Sequence, residues 1–208
     1  VFGGGGNDEA IYDLTENAGA MDYYAGGSGI DTLTLTMTLS DWFHIEVQND
    51  IAAFLNFVAV NTDPLTGEAN GQGFDFAAFG LTAREFEDMR VFVDEVELSP
   101  EDDPVTANDD SASLTEDDGD TALSNVLTND VVPDLVYQVA LVSGPAKGVL
   151  TFNPGTPGAP DGSFSYDPNG EFEYLAVGES ADVTFVYEVT DANRDTDQAT
   201  VTITVDGV

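Results

Sequence analysis

The sequence predicts a multidomain chain, with an α+β module over residues 1–99 and an all-β sandwich over residues 108–208. Three observations predict this division. The first half contains both helical and strand periodicities, whereas the second half contains only short strand patterns. Between them, residues 100–107 are acidic, contain proline and have no periodicity. We interpret that stretch as a linker.

The first module is predicted to contain strands and two helices. Residues 32–39 alternate between polar and apolar side chains, which is typical of a half-buried strand. Ser40 is placed to cap a helix that runs to about Val60, because apolar residues then recur at steps of three and four. Strands are expected at residues 74–79 and 90–98. Between them, Thr82 and Glu85 have capping-box spacing, which predicts a short second helix to Met89.

The second module is predicted to consist of short strands only. Turn signals rich in glycine, proline and aspartate separate them. The predicted strands are residues 112–115, 137–143, 149–152, 163–166, 183–189 and 199–205. Several short strands within about 100 residues favour an antiparallel sandwich.

The charge balance restricts the function. The chain has 40 acidic and four basic residues, a formal net charge of -36, and no cysteine. Nucleic acid and anionic membranes are poor partners for so acidic a chain, because both require basic patches. No apolar segment is long enough to span a bilayer. Two explanations of the acidity remain: clustered carboxylates that bind a divalent cation, or a solubilising coat of the kind found in halophiles. Clustering in turns favours the cation.

Two glycine-rich turns carry the sharpest chemical signal. The first runs from Gly3 to Asp8 and the second, Gly26-Gly-Ser-Gly-Ile-Asp31, lies 23 residues later. Glycine permits a tight turn that directs carbonyl oxygens toward an ion, and the aspartate adds a charged oxygen. The predicted calcium ligands are the carboxylates of Asp8 and Asp31 and backbone oxygens near Gly4, Gly6, Gly27 and Gly29. Because the spacing is not a multiple of nine, residues 11–24 should loop out or form an irregular strand.

Both turns resemble the calcium-binding nonapeptides of the repeat-in-toxin (RTX) family. The resemblance covers about the first 35 residues. It implies a module that is secreted unfolded and folds on contact with extracellular calcium. Calcium would also replace disulfides as the stabilising element of a secreted protein without cysteine.

The second module resembles the VCBS repeat, a cadherin-like or bacterial Ig-like module of large adhesins. The strings that carry the resemblance include Val126-Leu-Thr-Asn-Asp130, Gly162-Ser-Phe-Ser-Tyr-Asp-Pro-Asn-Gly170 and Val186-Tyr-Glu-Val-Thr-Asp191. The resemblance implies an extracellular Ig/cadherin-like sandwich used as a spacer or adhesive unit. Further calcium ligands are predicted at the module edge: Asp109, Asp110 and Asp191. Asp134 alone remains of the acidic run that many relatives have after the Asn-Asp pair, which puts a calcium site in that loop in doubt.

No catalytic constellation stands out, and we expect a non-enzymatic protein. His44 is the only histidine, and no G-x-S-x-G string accompanies it. The Asp63-Pro64 bond leaves open calcium-dependent self-processing of the kind found in some RTX proteins. The aromatic residues of the first helix, Trp42 among them, are expected to lie in the core.

The predicted function is a calcium-stabilised structural or adhesive segment of a secreted bacterial surface adhesin. Its expected partners are calcium ions and neighbouring modules of the same long chain, without nucleic acid and without membrane insertion. We expect a monomer at the cell surface or outside the cell. The alternative is a module of the same adhesin that binds a cell-surface polysaccharide or a peptide.

Overall fold

The computed structural model describes residues 1–17 and 19–208, and the chain divides into two units, Val1–Asp102 and Asp103–Val208. The division falls inside the acidic stretch that we interpreted as a linker. Each unit has its own buried core. Strand pairing stays within a unit, so each is described by itself.

The first unit is built from parallel strands stacked as three rungs. Its sheets have the strand orders β1-β3-β6-β5 and β2-β4-β7-β8. Rung one is β1 with β2, rung two is β3 with β4, and rung three is β6 with β7; equivalent strands of successive rungs pair in parallel. The strands are β1 (Phe2–Gly5), β2 (Glu9–Asp13), β3 (Asp22–Ser28), β4 (Thr32–Met37), β5 (Gly73–Phe76), β6 (Leu81–Arg84), β7 (Asp88–Val93) and β8 (Val96–Leu98).

The spacing of 23 residues between the glycine turns is the length of one rung. Tyr12 in β2 pairs with Leu35 in β4, and Gly4 in β1 pairs with Gly27 in β3. Residues 11–13 belong to β2 and residues 22–24 to β3, so the predicted loop or irregular strand does not extend over the whole of residues 11–24. Tyr12, Leu33, Leu35 and Val91 are fully buried. The alternation that predicted β4 therefore reflects its buried face.

Two helices, α1 (Leu39–Trp42) and α2 (Ile45–Asn61), lie between the second and third rungs. The helix stripe predicted from the sequence is confirmed, since Val47, Ile51 and Phe54 are buried, as is Trp42. Thr38, not Ser40, is the N-cap, and it forms a capping box with Asp41. The helix is interrupted at His44, whose backbone is extended.

The predicted second helix at residues 82–89 is wrong. Residues 81–84 form β6, which is held between β3 and β5, and Thr82 donates its hydroxyl hydrogen to Asp75 (2.6 Å) and does not cap a helix. Glu85 has φ of 58°, which is incompatible with a right-handed helix. The predicted strand at 90–98 is a hairpin of β7 and β8 that turns at Asp94 and Glu95. Long-range pairing therefore overrides the local capping signal.

The second unit contains two sheets, β10-β13-β12 and β11-β14-β15-β9. All pairs are antiparallel except β9 with β15. Each strand predicted from the sequence is present, and β10 was missed. The strands are β9 (Asp110–Thr115), β10 (Thr121–Asn125), β11 (Val136–Ser143), β12 (Val149–Thr156), β13 (Ala159–Asp167), β14 (Ser180–Asp191) and β15 (Thr196–Asp206), with a 3₁₀ turn at Val126–Thr128.

The core of the second unit lies between its two sheets. Val201, Ile203 and Val205 of β15 are fully buried, as their alternation predicted. Phe164 of one sheet contacts Phe185 of the other, with ring centroids 5.1 Å apart. This facing of two β-sheets across an apolar layer is a sandwich.

Candidate cation sites

The two glycine turns stack directly on each other. Gly4, Gly6, Gly27 and Gly29 all have φ between 101° and 131°, where residues with a Cβ are strained. A Cβ on Gly27 would lie 2.2 Å from the carbonyl oxygen of Gly4, and one on Gly29 would lie 2.3 Å from that of Gly6. The second turn therefore requires glycine for its conformation and for the close approach of carbonyl oxygens from the first.

A ladder of carboxylates connects the three rungs. The amide of Asp8 donates to Oδ1 of Asp31 (2.7 Å), and the amide of Asp31 donates to Oε2 of Glu87 (2.7 Å). The other oxygen of Glu87 accepts from the amide of Ala69 (2.7 Å), which holds the loop after α2 against the third rung. Sequence reasoning missed Glu87 because its rung has no glycine motif.

In both Asp8 and Asp31, the second carboxylate oxygen accepts no hydrogen bond from the part of the chain that the structure describes. Oδ2 of Asp8 and Oδ2 of Asp31 are buried and have no hydrogen-bond partner among the described residues. The whole Asp31 side chain is inaccessible to solvent. A buried carboxylate oxygen without a donor is strongly unfavourable, so such an oxygen points to a cation that completes its environment.

Each of these carboxylate oxygens lies close to one glycine, and a backbone carbonyl oxygen from the next rung lies close to the same glycine. Oδ2 of Asp8 and the carbonyl oxygen of Gly26 lie 2.8 and 2.2 Å from the position of a Cβ on Gly3. Oδ2 of Asp31 and the carbonyl oxygen of Glu85 lie 2.5 and 2.0 Å from the corresponding position on Gly26. The same arrangement therefore occurs twice, and the left-handed Glu85 supplies the second carbonyl. Carboxylate and carbonyl oxygens in this combination are ligands for calcium.

The structure separates the three aspartates predicted in the second unit. Asp110 begins β9 and Asp109 directly precedes it; Asp110 lies close to Tyr187 and Asp130. Asp191 is four residues beyond Tyr187 along β14, which is about 13 Å at the rise of a strand. The three aspartates predicted as calcium ligands therefore form two separate groups, one at Asp109 and Asp110 and one at Asp191.

The group around Asp110 is polar and half-buried. The Tyr187 hydroxyl donates to Asp130 (3.0 Å), which also accepts from the amide of Asn108 (2.8 Å). The pKa of Asp110 is raised to about 6, mainly by burial; a hydrogen bond from Tyr187 opposes this shift, and the neighbouring charges of Asp130 and Asp109 add to it. Burial likewise raises the pKa of Asp130. Asp109 is exposed, and its Oδ1 accepts from the amide of Thr200 (2.8 Å).

Asp191 closes a turn at the end of β14. It is fully buried, and its Oδ1 accepts from the amide of Asp195 (2.9 Å). A side-chain oxygen of Asp195 lies within 4.8 Å of one of Asp191. Asp134, which the sequence left in doubt, is also buried and accepts from the amide of Asp103 (2.9 Å).

The other residues singled out in the sequence lie outside these groups. Trp42 is 1% exposed, so it cannot serve as an aromatic platform for a sugar. His44 is exposed at the start of α2. Asp63 is exposed in the loop after α2, and its Oδ1 accepts from the amides of Leu65 (2.7 Å) and Thr66 (3.3 Å).

Comparison with known proteins identifies the second unit. The family described as "Bacterial Ig domain" matches residues 101–204, which is the unit that forms the two-sheet sandwich. The curated proteins gave no match. Among the described residues, none of the helices has the length and apolarity needed to cross a bilayer. Through the sandwich that makes up its second half, the chain belongs to the bacterial Ig domain family.

Proposed function

We propose that the chain is a non-enzymatic segment of a secreted bacterial surface adhesin whose first unit folds around calcium. The observation that carries this proposal is the pair of buried oxygens, Oδ2 of Asp8 and Oδ2 of Asp31, which have no hydrogen-bond partner among the described residues. Each lies beside a carbonyl oxygen of the next rung. The resemblance of the two turns to RTX nonapeptides supports the same ion.

Calcium fits the donors better than a softer metal would. The groups near the two aspartates are carboxylates and backbone carbonyls, the chain has no cysteine, and its single histidine lies in the helical segment. Hard oxygen donors of this kind select calcium over zinc or copper. Gly4, Gly6, Gly27 and Gly29 would contribute their turn geometry, and Asp8 and Asp31 the charge.

Calcium would act by linkage. Without an ion, folding brings buried carboxylates of adjacent rungs together with nothing to neutralise them, in a chain with a net charge of -36. An ion that binds only the folded state stabilises it in proportion to the logarithm of its concentration. The low calcium of the cytosol would then keep the unit unfolded for export, and extracellular calcium would fold it.

The second unit supplies the structural part of the proposal. A bacterial Ig domain is typical of surface or adhesin-type proteins, where such sandwiches act as spacers. Two acidic groups of this unit are secondary candidates for calcium, one at Asp109 and Asp110 and the other at Asp191. Each group would bind its own ion.

The test is thermal unfolding of the whole chain in EDTA, in millimolar calcium, in equimolar magnesium and in high sodium chloride. Trp42 is the only tryptophan and is buried in the first unit, so its fluorescence reports that unit alone. We expect calcium to raise the midpoint followed by Trp42 by about 10 °C or more, since saturation at about 100 times Kd adds about 2.7 kcal/mol. An equal effect of sodium chloride would contradict the proposal and favour a solubilising acidic coat.

A further inference from the structure

One edge of the larger sheet of the sandwich is only partly covered. β15 pairs with β14 from Ser180 to Thr190, whereas β11 pairs with β14 only from Val186 to Asp191. β11 stops there because the chain turns away at Gly144-Pro145. Residues 180–185 of β14 therefore have a strand on one side only.

The open part of β14 has free backbone groups. In an antiparallel pair, alternate residues direct their N–H and C=O groups away from the partner. Within residues 103–208, all of which the structure describes, no backbone bond reaches residues 181–185 other than those from β15. An uncovered edge of this kind is a template for an additional strand.

A cleft lies beside this edge. It has a volume of about 460 Å³, with Ala181 to Thr184 of β14 on one wall and Lys147, Phe172 and Tyr174 among its other lining residues. The ammonium group of Lys147 lies 4.6 Å from the centre of the Tyr174 ring and 5.2 Å from that of Phe172. Tyr174 is 61% exposed, so an aromatic surface and a cation face the cleft together.

The stretch that carries Lys147 lacks the negative charge found elsewhere in the unit, although Asp182 of β14 also lines the cleft. Residues 103–208 contain 20 acidic and two basic residues, yet residues 135–160 contain none of the acidic ones and include Lys147, the only lysine of the chain. Three apolar side chains of this stretch are 42–49% exposed: Leu141, Val142 and Val149. An anionic partner that the rest of the unit repels can approach here.

We propose that this cleft binds an extended peptide that carries a carboxylate side chain. The peptide adds to the open edge of β14 as a further strand and directs its carboxylate to Lys147. Backbone donors and acceptors in a row match a peptide better than a sugar, and a nucleic acid is excluded by the charge of the unit. The proposal does not depend on calcium binding by the first unit.

The probe is a synthetic seven-residue peptide of alternating threonine and valine with a central glutamate. It is titrated into the isotopically labelled whole chain in calcium, and amide shifts are followed by NMR. We expect saturable shifts at residues 181–185 and at Lys147. Lys147→Glu should weaken binding at least about tenfold, and Lys147→Arg should keep it within about threefold, because only the first reverses the charge. An unchanged unfolding midpoint shows that each variant is folded.

Two peptide controls separate strand addition from simple charge attraction. The same peptide with alternate amides methylated keeps its carboxylate but loses its backbone donors, and it should not bind. A peptide with central lysine should bind more weakly. Equal binding of the methylated peptide, shifts confined to other strands, or no shifts at millimolar peptide would each overturn the proposal. Shifts of the same amides by a dextran oligosaccharide but not by the peptide would overturn it in favour of a sugar site.

Discussion

Asp31 has one carboxylate oxygen that is hydrogen-bonded and one that is not. Asparagine at this position retains an acceptor for the amide of Asp8 but removes the negative charge. We therefore predict that Asp31→Asn weakens calcium binding by tenfold or more, about 1.4 kcal/mol, because a charged ligand is lost. In EDTA the same variant should be at least as stable as the parent, since a buried charge has been removed.

Asp63→Asn is the matched control for Asp31→Asn. It makes the same change of charge in an exposed turn, and asparagine can still accept from the amides of Leu65 and Thr66. Calcium titrations followed by Trp42 fluorescence should leave this variant close to the parent. A loss of calcium affinity equal to that of Asp31→Asn would show that net charge, not the turn, determines binding.

Asp110 should make the second unit less stable as the pH rises. Its pKa is raised to about 6 in the folded state from an ordinary value of 3.8, so the folded state prefers the protonated carboxyl. Its stabilising contribution is complete below about pH 4 and is lost as the pH rises through 6. Allowing for its partial exposure, we predict that Asp110→Asn is more stable than the parent by about 1–2 kcal/mol at pH 7 in EDTA, and not at pH 4.

Chemical denaturation of the parent and Asp110→Asn at both pH values checks this prediction. Asp120→Asn is the control, because Asp120 is exposed and is not among the groups that raise the pKa of Asp110. If calcium binds at Asp110, adding calcium should abolish the advantage of the variant at pH 7. A constant difference between the parent and the variant across the pH range would contradict the prediction.

At the level of elements, two glycine substitutions distinguish the stability that comes from stacking of the turns from the cost of straining the backbone. Gly4 and Gly27 have nearly the same φ, 108° and 111°, but a Cβ on Gly4 meets nothing within 4 Å, whereas one on Gly27 lies 2.2 Å from the carbonyl oxygen of Gly4. We predict that Gly4→Ala destabilises the first unit by about 1–2 kcal/mol through strain alone. Gly27→Ala should destabilise it by at least about 2 kcal/mol more.

Denaturation followed by Trp42 fluorescence in saturating calcium measures both effects. Because both variants introduce the same methyl group at the same φ, their difference reports the contact between rungs. Equal destabilisation would mean that the turns do not stack in solution as they do in the structure.

The elements that the sequence predicted correctly are those with a regular burial pattern. Leu33 and Leu35 alternate with polar residues in β4, and Ile51 and Phe54 follow the helical period in α2. β6, the first strand of the third rung, was missed because its signals are non-local. Thr82 and Glu85 imitate a capping box, and only pairing with β3 and β5 makes the segment a strand. Glu85 also reaches a positive φ without being glycine, which no local pattern indicates.

The candidate site was predictable to a similar extent. The glycine motif identified Asp8 and Asp31, because the residue types and their order are local to each turn. Glu87 and the carbonyl of Glu85 belong to the same arrangement, but 56 residues separate Asp31 from Glu87. In the sandwich, Asp130 was overlooked because its partners Asn108 and Tyr187 are distant in the chain. Asp134 was doubted because it is the one carboxylate left in its loop, and its burial is not visible in the local sequence.

At the level of the whole molecule, the two units should respond differently to calcium. In the first unit, Asp8 and Asp31 place their unbonded buried oxygens beside carbonyl oxygens of the next rung. The second unit also has unbonded buried oxygens, on Asp110 and Glu116, but it has a continuous apolar core between two sheets. We predict that calorimetry resolves two transitions, and that EDTA lowers the transition reported by Trp42 by several degrees more than the other. A single transition, or two that move equally, would contradict this independence.

The third rung has no glycine motif, so the number of rungs in this unit is larger than the number of glycine motifs in its sequence. Between the first and second rungs the chain advances 23 residues, whereas between Asp31 and Glu87 it advances 56, and the helices, the loop after α2 and β5 occupy the difference. The register is kept by the contacts of each turn with the one before it, not by a constant period. Such a fold can grow by accepting inserted segments of any length between layers, so its evolution need not preserve a repeat in the sequence at all.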